Sequence, residues 1–156
     1  MKNLIYISII SVLTFNACVE VETAGCIDPD AINYNHHADY SDGSCIYNSD
    51  IVFYEDVAAA VYFNTIGVEW LDLYVNGVYI GTLDATLGLT YIADCFETDA
   101  IVFVLEWENS HSSSFNWVIR DETGFIHYSE SQVVFPNECL PIGLTFKKIQ
   151  DYKESK

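Results

Sequence analysis

The sequence predicts an all-β fold: an antiparallel β-sandwich of seven to eight strands, Ig-like or jelly-roll-like, preceded by a small disulfide-bracketed module. Between positions 51 and 146, apolar and aromatic residues occur in short runs separated by turn-forming residues. The pair Asn76-Gly77 stands between two such runs and is typical of a two-residue type I′ hairpin. No segment keeps an apolar period of 3.6 residues over three turns, so helices are expected to be scarce. Many short strands joined by frequent turns favour a sandwich.

The first seventeen residues have the order of a secretory signal peptide. Residues 1–3 carry the positive charge of Lys2, residues 4–15 are largely apolar, and the small residue Ala17 precedes Cys18. A transmembrane helix is the alternative, but an apolar stretch of about a dozen residues is shorter than the roughly twenty that a span needs. We therefore expect 1–17 to be removed on export.

Cys18 and its neighbours indicate how the exported chain is held. A cysteine directly after Ala17 resembles the lipobox of bacterial lipoproteins, although Phe15 and Asn16 replace the residues that lipoboxes prefer. The resemblance implies that Cys18 is lipidated, that 18–24 is a linker, and that the protein contacts the membrane through this anchor. The acidic residues after Cys18 resemble the signal that directs lipoproteins of Bacteroidota to the cell surface. The expected location is the outer membrane, facing the cell exterior.

Composition excludes one class of partner. The chain has 23 acidic and 6 basic residues, a formal charge of −17 at pH 7. Such a field repels phosphate backbones, so no nucleic-acid partner is expected. Strong acidity can accompany disorder, but a content of 51% hydrophobic and 15% aromatic residues predicts a packed core.

Four further cysteines, Cys26, Cys45, Cys95 and Cys139, predict two disulfides in an exported chain. Three connectivities are possible. Sequence order favours Cys26–Cys45 within a short segment and Cys95–Cys139 across the larger domain. A zinc site is disfavoured because no two of these cysteines have the close spacing of paired zinc ligands.

Residues 25–48 differ in composition from the rest of the sequence, because turn-forming residues dominate and no strand or helix period persists. This segment resembles a cysteine-bracketed cassette that recurs in secreted and lipid-anchored proteins of Bacteroidota. The residues that carry the resemblance are Gly25, Cys26, Asp28, Ala31, Asn33, Tyr34, Asn35, Ala38, Asp42, Gly43, Ser44, Cys45 and Tyr47. The resemblance implies a spacer or attachment module without a catalytic role.

Four carboxylates in this cassette suggest a possible Ca²⁺ site: Asp28, Asp30, Asp39 and Asp42. Calcium takes six to eight oxygen ligands, often from closely spaced acidic side chains. An EF-hand-like loop would need carboxylates where Ala38 and Tyr40 stand. The alternative is that these acids terminate turns and remain solvated.

The second segment, 50–147, is expected to form the sandwich, followed by a flexible polar tail at 148–156. The predicted strands are 51–54, 58–63, 71–75, 78–80, 101–108, 115–119, 125–128, 133–135 and 140–146. The pattern of Tyr74–Gly77, Gly81-Thr82, Cys95 and Cys139-Leu140 resembles a β-sandwich domain of small Bacteroidota lipoproteins. This resemblance supports the fold and the second disulfide.

The hairpin also predicts a candidate ligand-binding face. A two-residue turn would pair Val75 with Val78, Tyr74 with Tyr79, Leu73 with Ile80, and Asp72 with Gly81. The core face would then hold Leu71, Leu73, Val75, Val78 and Ile80, and the opposite face Trp70, Asp72, Tyr74 and Tyr79. Aromatic rings beside a carboxylate can stack on a sugar ring and accept from its hydroxyls. The alternatives are that Tyr74 and Tyr79 form an ordinary cross-strand pair, or that the N-terminal cassette covers them.

No catalytic motif is present. The sequence lacks a nucleophile elbow, a phosphate-binding glycine loop, a His-Glu-x-x-His pair and a dinucleotide fingerprint. Glu106 and Glu108 lie two apart on one strand, where solvated edge charges are more typical than a glycosidase pair. The expectation is a non-catalytic, lipid-anchored binding or adhesion module for a glycan or an envelope protein, without a required cofactor. The alternatives are a purely structural envelope lipoprotein and a hydrolase accessory subunit.

Overall fold

The structure, a computed structural model, describes residues 21–156. Its strands are β1 (Ala24–Gly25), β2 (Tyr40–Ser41), β3 (Ile46–Glu55), β4 (Trp70–Val75), β5 (Val78–Asp84), β6 (Ile101–Glu108), β7 (Ser113–Asp121), β8 (Ile126–Val134) and β9 (Cys139–Leu144). Two helices, α1 (Val57–Ile66) and α2 (Phe146–Glu154), complete the described part.

Two sheets form the predicted β-sandwich. The smaller sheet has the order β6-β3-β9 and the larger one β5-β4-β7-β8, and β1 and β2 form a separate pair in the cassette. The seven strands of the two larger sheets confirm the predicted fold class. Four of their five strand pairs are antiparallel, and the exception is the parallel pair β3/β9.

The chain changes sheets between β8 and β9, and β9 runs parallel to β3. The connecting turn lies beside the first half of β3, where Asn137 N–H donates to the Asn48 carbonyl at 2.9 Å. One step further, Asp50 N–H donates to the Glu138 carbonyl at 3.0 Å. The chain therefore enters the smaller sheet at the end where β3 begins and runs in the same direction.

The expected boundary between the cassette and the sandwich falls inside one strand. Strand β3 begins at Ile46, directly after Cys45, and continues without interruption to Glu55. Its first residues already pair with β6, with Ile46 opposite Glu108 and Tyr47 opposite Trp107. The cassette is thus attached to the sandwich by a continuous strand.

The strand expected at 58–63 is wrong, because this segment lies in helix α1. The Asp56 side chain caps the first turn by accepting from Ala59 N–H at 2.7 Å, and Gly67 ends the helix in the left-handed conformation. Ala59, Ala60 and Phe63 are buried against the sandwich. The other faces of the helix are also apolar, and this hid the helical period.

The flexible tail expected at 148–156 is also wrong, since α2 occupies most of it. Thr145 caps the helix by accepting from Lys148 N–H, and Ile149 is fully buried in the core. Tyr152 packs against the same core. One buried isoleucine and one tyrosine among polar residues are enough to dock a short helix.

The main core lies between the two sheets. Its largest fully buried side chains include Trp117, Phe53, Phe63 and Phe115. Phe53 contacts both Phe115 and Trp117, with ring centroids 6.4 and 5.5 Å apart. Aromatic pairs at this distance add to the stabilisation from burial alone.

Both predicted disulfides are confirmed. Cys26 is bonded to Cys45 within the cassette, and Cys95 to Cys139. The second bridge fastens the long segment between β5 and β6 over the outer face of the smaller sheet. There Ala93 and Leu89 pack against Val52 and Tyr54 of β3.

No helix within residues 21–156 is long and apolar enough to cross a membrane. The predicted signal peptide at 1–17 and the lipidation residue Cys18 lie outside the described residues.

Candidate functional site

The hairpin of β4 and β5 positions the candidate site. Asn76 and Gly77 both have positive φ angles, 49° and 80°, as a type I′ turn requires. Val75 pairs with Val78 and Tyr74 with Tyr79, as predicted. Beyond them a β-bulge shifts the register, so that Leu73 pairs with Gly81 and Asp72 with Thr82. The predicted pairs Leu73–Ile80 and Asp72–Gly81 are therefore wrong.

The side chains of β5 differ from the predicted core face. Gly81 lies on the core side, where an added Cβ would come within 3.2 Å of the Ile101 side chain. The expected open space opposite Asp72 is thus absent, since Thr82 occupies that place. Val78, expected in the core, is exposed, whereas Ile80 is partly buried against the core.

The four predicted ligand-binding residues do share the outer face of the larger sheet. Trp70 and Tyr79 are 50% and 53% exposed, and Asp72 and Tyr74 are partly exposed. The rings of Tyr74 and Tyr79 meet edge to face, with centroids 5.8 Å apart. This is the cross-strand pair that was one alternative interpretation, but the exposure of Tyr79 leaves one ring accessible.

Two consecutive hydrogen bonds link Tyr79 to the Asp72 carboxylate. The Thr82 hydroxyl donates to Asp72 Oδ1 at 2.6 Å and lies 2.7 Å from the Tyr79 hydroxyl. Thr82 is exposed. These two hydrogen bonds fix Tyr79 and Asp72 relative to each other. Among the described residues Asp72 Oδ2 has no hydrogen-bond partner, so it can accept from a ligand.

Arg120 on β7 is a member of this face that sequence reasoning missed. It pairs in register with Asp72, and its guanidinium carbon lies 5.1 Å from the centroid of the Tyr74 ring. The arginine is exposed, and within residues 21–156 it forms no ion pair shorter than 4.0 Å. Its place beside Asp72 depends on the long-range pairing of β4 with β7, for which no local signal exists. We call Trp70, Asp72, Tyr74, Tyr79, Thr82 and Arg120 the aromatic face.

The predicted calcium ligands are only partly brought together. Asp28 and Asp30 lie near each other and near His111, one potential ligand atom from each lying within 4.8 Å of the others. Asp39 and Asp42 do not belong to this group. They serve local turns, since Asp39 accepts from Thr23 N–H and Asp42 from Ser44 N–H.

Asp28 also has a structural partner. The Tyr47 hydroxyl donates to Asp28 Oδ2 at 2.7 Å, and this bond lowers the pKa of Asp28. His111, from the turn between β6 and β7, approaches Asp28 and Asp30 at 3.6 and 3.8 Å. These contacts join the cassette to the sandwich.

A buried Asp–His pair invites comparison with catalytic dyads. His127 Nε2 lies 2.9 Å from Asp121 Oδ2, and both side chains are buried. The other ring nitrogen, Nδ1, is buried without a hydrogen-bond partner in the described part of the chain. A general base must reach a substrate proton. This histidine is enclosed, with the rings of Phe63 and Phe125 each 5.0 Å away, so the pair is structural.

The outer side of α1 forms a second exposed surface, an apolar groove of about 610 Å³. The residues that line it are Val57, Ala58, Val61, Tyr62, Thr65 and Phe146. It offers almost no polar group that could orient a ligand. The aromatic face combines stacking rings with hydrogen-bonding groups of both kinds and is the stronger candidate.

Comparison with protein-family models finds no match for the chain, and neither do comparisons with curated proteins and with solved structures. The assignment of function therefore depends on the chemistry of the aromatic face.

Proposed function

We propose that this protein is a non-catalytic glycan-binding module, anchored in the outer membrane by a lipid on Cys18 and facing the cell exterior. The observation that carries the proposal is the aromatic face, where the exposed rings of Trp70 and Tyr79 flank a hydrogen-bonded carboxylate. A pyranose presents one apolar face and a rim of hydroxyls. Exposed aromatic rings stack on the apolar face of the sugar, and the polar groups form hydrogen bonds with its hydroxyls.

The donors and acceptors of the face suit hydroxyl groups. Asp72 Oδ2 can accept from one sugar hydroxyl, and the Arg120 guanidinium can donate to a neighbouring oxygen. Because the two residues are register partners, both reach the same ligand. Their partial exposure means that ligand binding need not break a buried interaction.

A non-catalytic role agrees with the state of the titratable groups. Glu106 and Glu108 are exposed on β6, an edge strand of the smaller sheet, and this placement suits solvated charges. The buried pair Asp121–His127 is enclosed, as described above. The proposal requires no cofactor, nucleic acid or catalytic partner, and Ca²⁺ at Asp28 and Asp30 remains an addition to be tested.

A glycan array with the full chain tests the proposal, in the presence and absence of Ca²⁺. We expect selective binding that falls about tenfold or more in Tyr79→Ala, since this variant removes an exposed stacking ring. Phe96→Ala is the control, because Phe96 is also an exposed aromatic residue but lies on the segment that covers the smaller sheet. The absence of any selective glycan binding, or equal loss in both variants, would overturn the proposal.

A purely structural envelope role is the second candidate. It is favoured by the Tyr74–Tyr79 pair, since aromatic cross-strand pairs stabilise hairpins without any ligand. In that case Tyr79→Ala would lower the free energy of unfolding and have no effect on binding.

A further inference from the structure

The two exposed rings of the aromatic face stand far apart along the sheet. Trp70 opens β4, and Tyr74 with its partner Tyr79 lies four residues further along. At about 3.4 Å per residue the two platforms are separated by roughly 14 Å. One sugar ring covers one aromatic ring, so a single sugar cannot contact both.

The polar groups of the face lie between the two platforms. Asp72 and its partners Thr82 and Arg120 occupy the middle of this span, on three adjacent strands. At the far end, Trp70 borders a surface cleft of about 300 Å³ that Glu69, Asp84 and Thr86 also line. The order along β4 is therefore ring, polar groups, ring, and this order suits a chain of linked sugars.

The charge of the surroundings restricts the ligand further. Arg120 is the single arginine of the chain, whose net charge is −17. Asp72, Asp84 and Glu69 all lie on or beside the face. One guanidinium among three carboxylates disfavours a ligand that brings further negative charge, because like charges at this distance repel.

Accordingly, we propose that the aromatic face binds a neutral oligosaccharide of several linked sugars, laid along β4 from Trp70 to Tyr79. Tyr79 and Asp72 hold one part of the chain and Trp70 stacks on a sugar further along. This inference rests on the proposed glycan binding and adds the length and the charge of the ligand.

Calorimetric titration of the full chain in detergent tests it, with neutral β-linked gluco-oligosaccharides from disaccharide to hexasaccharide and oligouronates of the same lengths. We expect affinity to rise about tenfold from disaccharide to tetrasaccharide, since a second aromatic platform is then engaged, and to level off beyond. The oligouronates should bind more weakly at every length.

Variants separate the two platforms. Trp70→Ala should remove the gain with length, so that the tetrasaccharide binds no more tightly than the disaccharide, whereas Trp70→Phe should restore most of the gain. Equal affinity for all lengths, equal loss at all lengths in Trp70→Ala, or tighter binding of oligouronates would overturn this inference while leaving glycan binding intact. Failure to bind any saccharide, here and on the array, would overturn the proposed function as well.

Discussion

Asp121 and His127 are joined across the turn between β7 and β8 by a hydrogen bond of 2.9 Å between Oδ2 and Nε2. The second carboxylate oxygen, Oδ1, accepts from the N–H groups of Thr123 and Phe125 and from the Thr123 hydroxyl. Burial alone would raise the pKa of Asp121, but these hydrogen bonds outweigh it and lower the pKa to about 2. One carboxylate thus organises the whole turn.

Replacing this carboxylate should cost more stability than replacing any neighbouring acid. Asp121→Ala leaves the buried His127 ring and the partly buried donors of Thr123 and Phe125 without this acceptor, and we expect the free energy of unfolding to fall by about 2–4 kcal/mol. Denaturant titration at pH 7 measures this, with the exposed neighbour Glu122→Ala as the control. A loss no greater than that of the control would show that the turn does not depend on Asp121.

The stabilisation from the Asp121 carboxylate should be lost in acid. Since the folded pKa is lower than the unfolded value of about 3.8, the stabilisation is fully present above that value. It is lost as the pH falls toward 2. The difference in unfolding free energy between wild type and Asp121→Asn should therefore shrink over this range.

Glu55 should have the opposite effect on how stability depends on pH. Its side chain is 2% exposed, on the same face of β3 as the core residues Ile51 and Phe53, and neither carboxyl oxygen has a hydrogen-bond partner within residues 21–156. Burial, and then the nearby charges of Asp84 and Asp56, raise the pKa of Glu55 to about 8. The carboxyl is therefore mainly neutral in the folded protein at pH 7.

Because the pKa of Glu55 is higher in the folded than in the unfolded protein, this residue favours folding most at low pH. The contribution is fully present below about pH 4.5 and is lost progressively up to about pH 8, at about 1.4 kcal/mol per pH unit at most. Glu55→Gln cannot ionise and removes this dependence. We expect the wild type to lose stability relative to Glu55→Gln between pH 5 and 8, as measured by urea titration. Parallel curves over that range would contradict a buried neutral Glu55.

The aromatic face shows what local sequence patterns can and cannot give. Alternation along 70–75 and the Asn76-Gly77 turn were enough to place Trp70, Asp72, Tyr74 and Tyr79 on one face. They could not reveal the bulge between Leu73 and Tyr74, which places Gly81 opposite Leu73 and beside the Ile101 side chain of another strand. Arg120 joins the face through long-range pairing and has no local signature.

The two helices show a different limit. Asp56 and Gly67 stand where an N-cap and a left-handed C-cap are expected, so the ends of α1 were readable. Its interior was misleading, since a helix that is apolar on all sides has no amphipathic period. For α2, a single buried Ile149 decides between a docked helix and a loose tail, and only tertiary contact supplies that information.

The two disulfides should differ in their contribution to stability. Cys26–Cys45 closes a segment of 19 residues and Cys95–Cys139 one of 44. In the chain-entropy account, each contributes about 3–4 kcal/mol and the longer segment contributes more, by somewhat under 1 kcal/mol. Paired Cys→Ser variants, compared by denaturant titration under oxidising conditions, measure both. A larger loss from the cassette bridge would show that strain or residual structure outweighs loop length.

The Cys95–Cys139 bridge has a second expected effect. It fastens the segment that carries Leu89 and Ala93 over Val52 and Tyr54. In the variant without this bridge, amide exchange should accelerate within 85–100 more than within β7. Uniform acceleration through both sheets would instead indicate global destabilisation.

Cys18 carries the prediction for the anchor. If the thiol receives a lipid, Cys18→Ser should abolish fatty-acid labelling and release the protein from the membrane fraction. Two or three acyl chains on one residue give stable anchoring, because each buried methylene adds about 0.8 kcal/mol. Glu22→Gln is a matched control that leaves the thiol in place. If Cys18→Ser still sediments with the membranes and still takes up the fatty-acid label, the lipid anchor is refuted. Protease treatment of intact cells then tests the orientation. If the anchored wild type resists protease in intact cells but is digested once the cells are lysed, display at the cell exterior is contradicted.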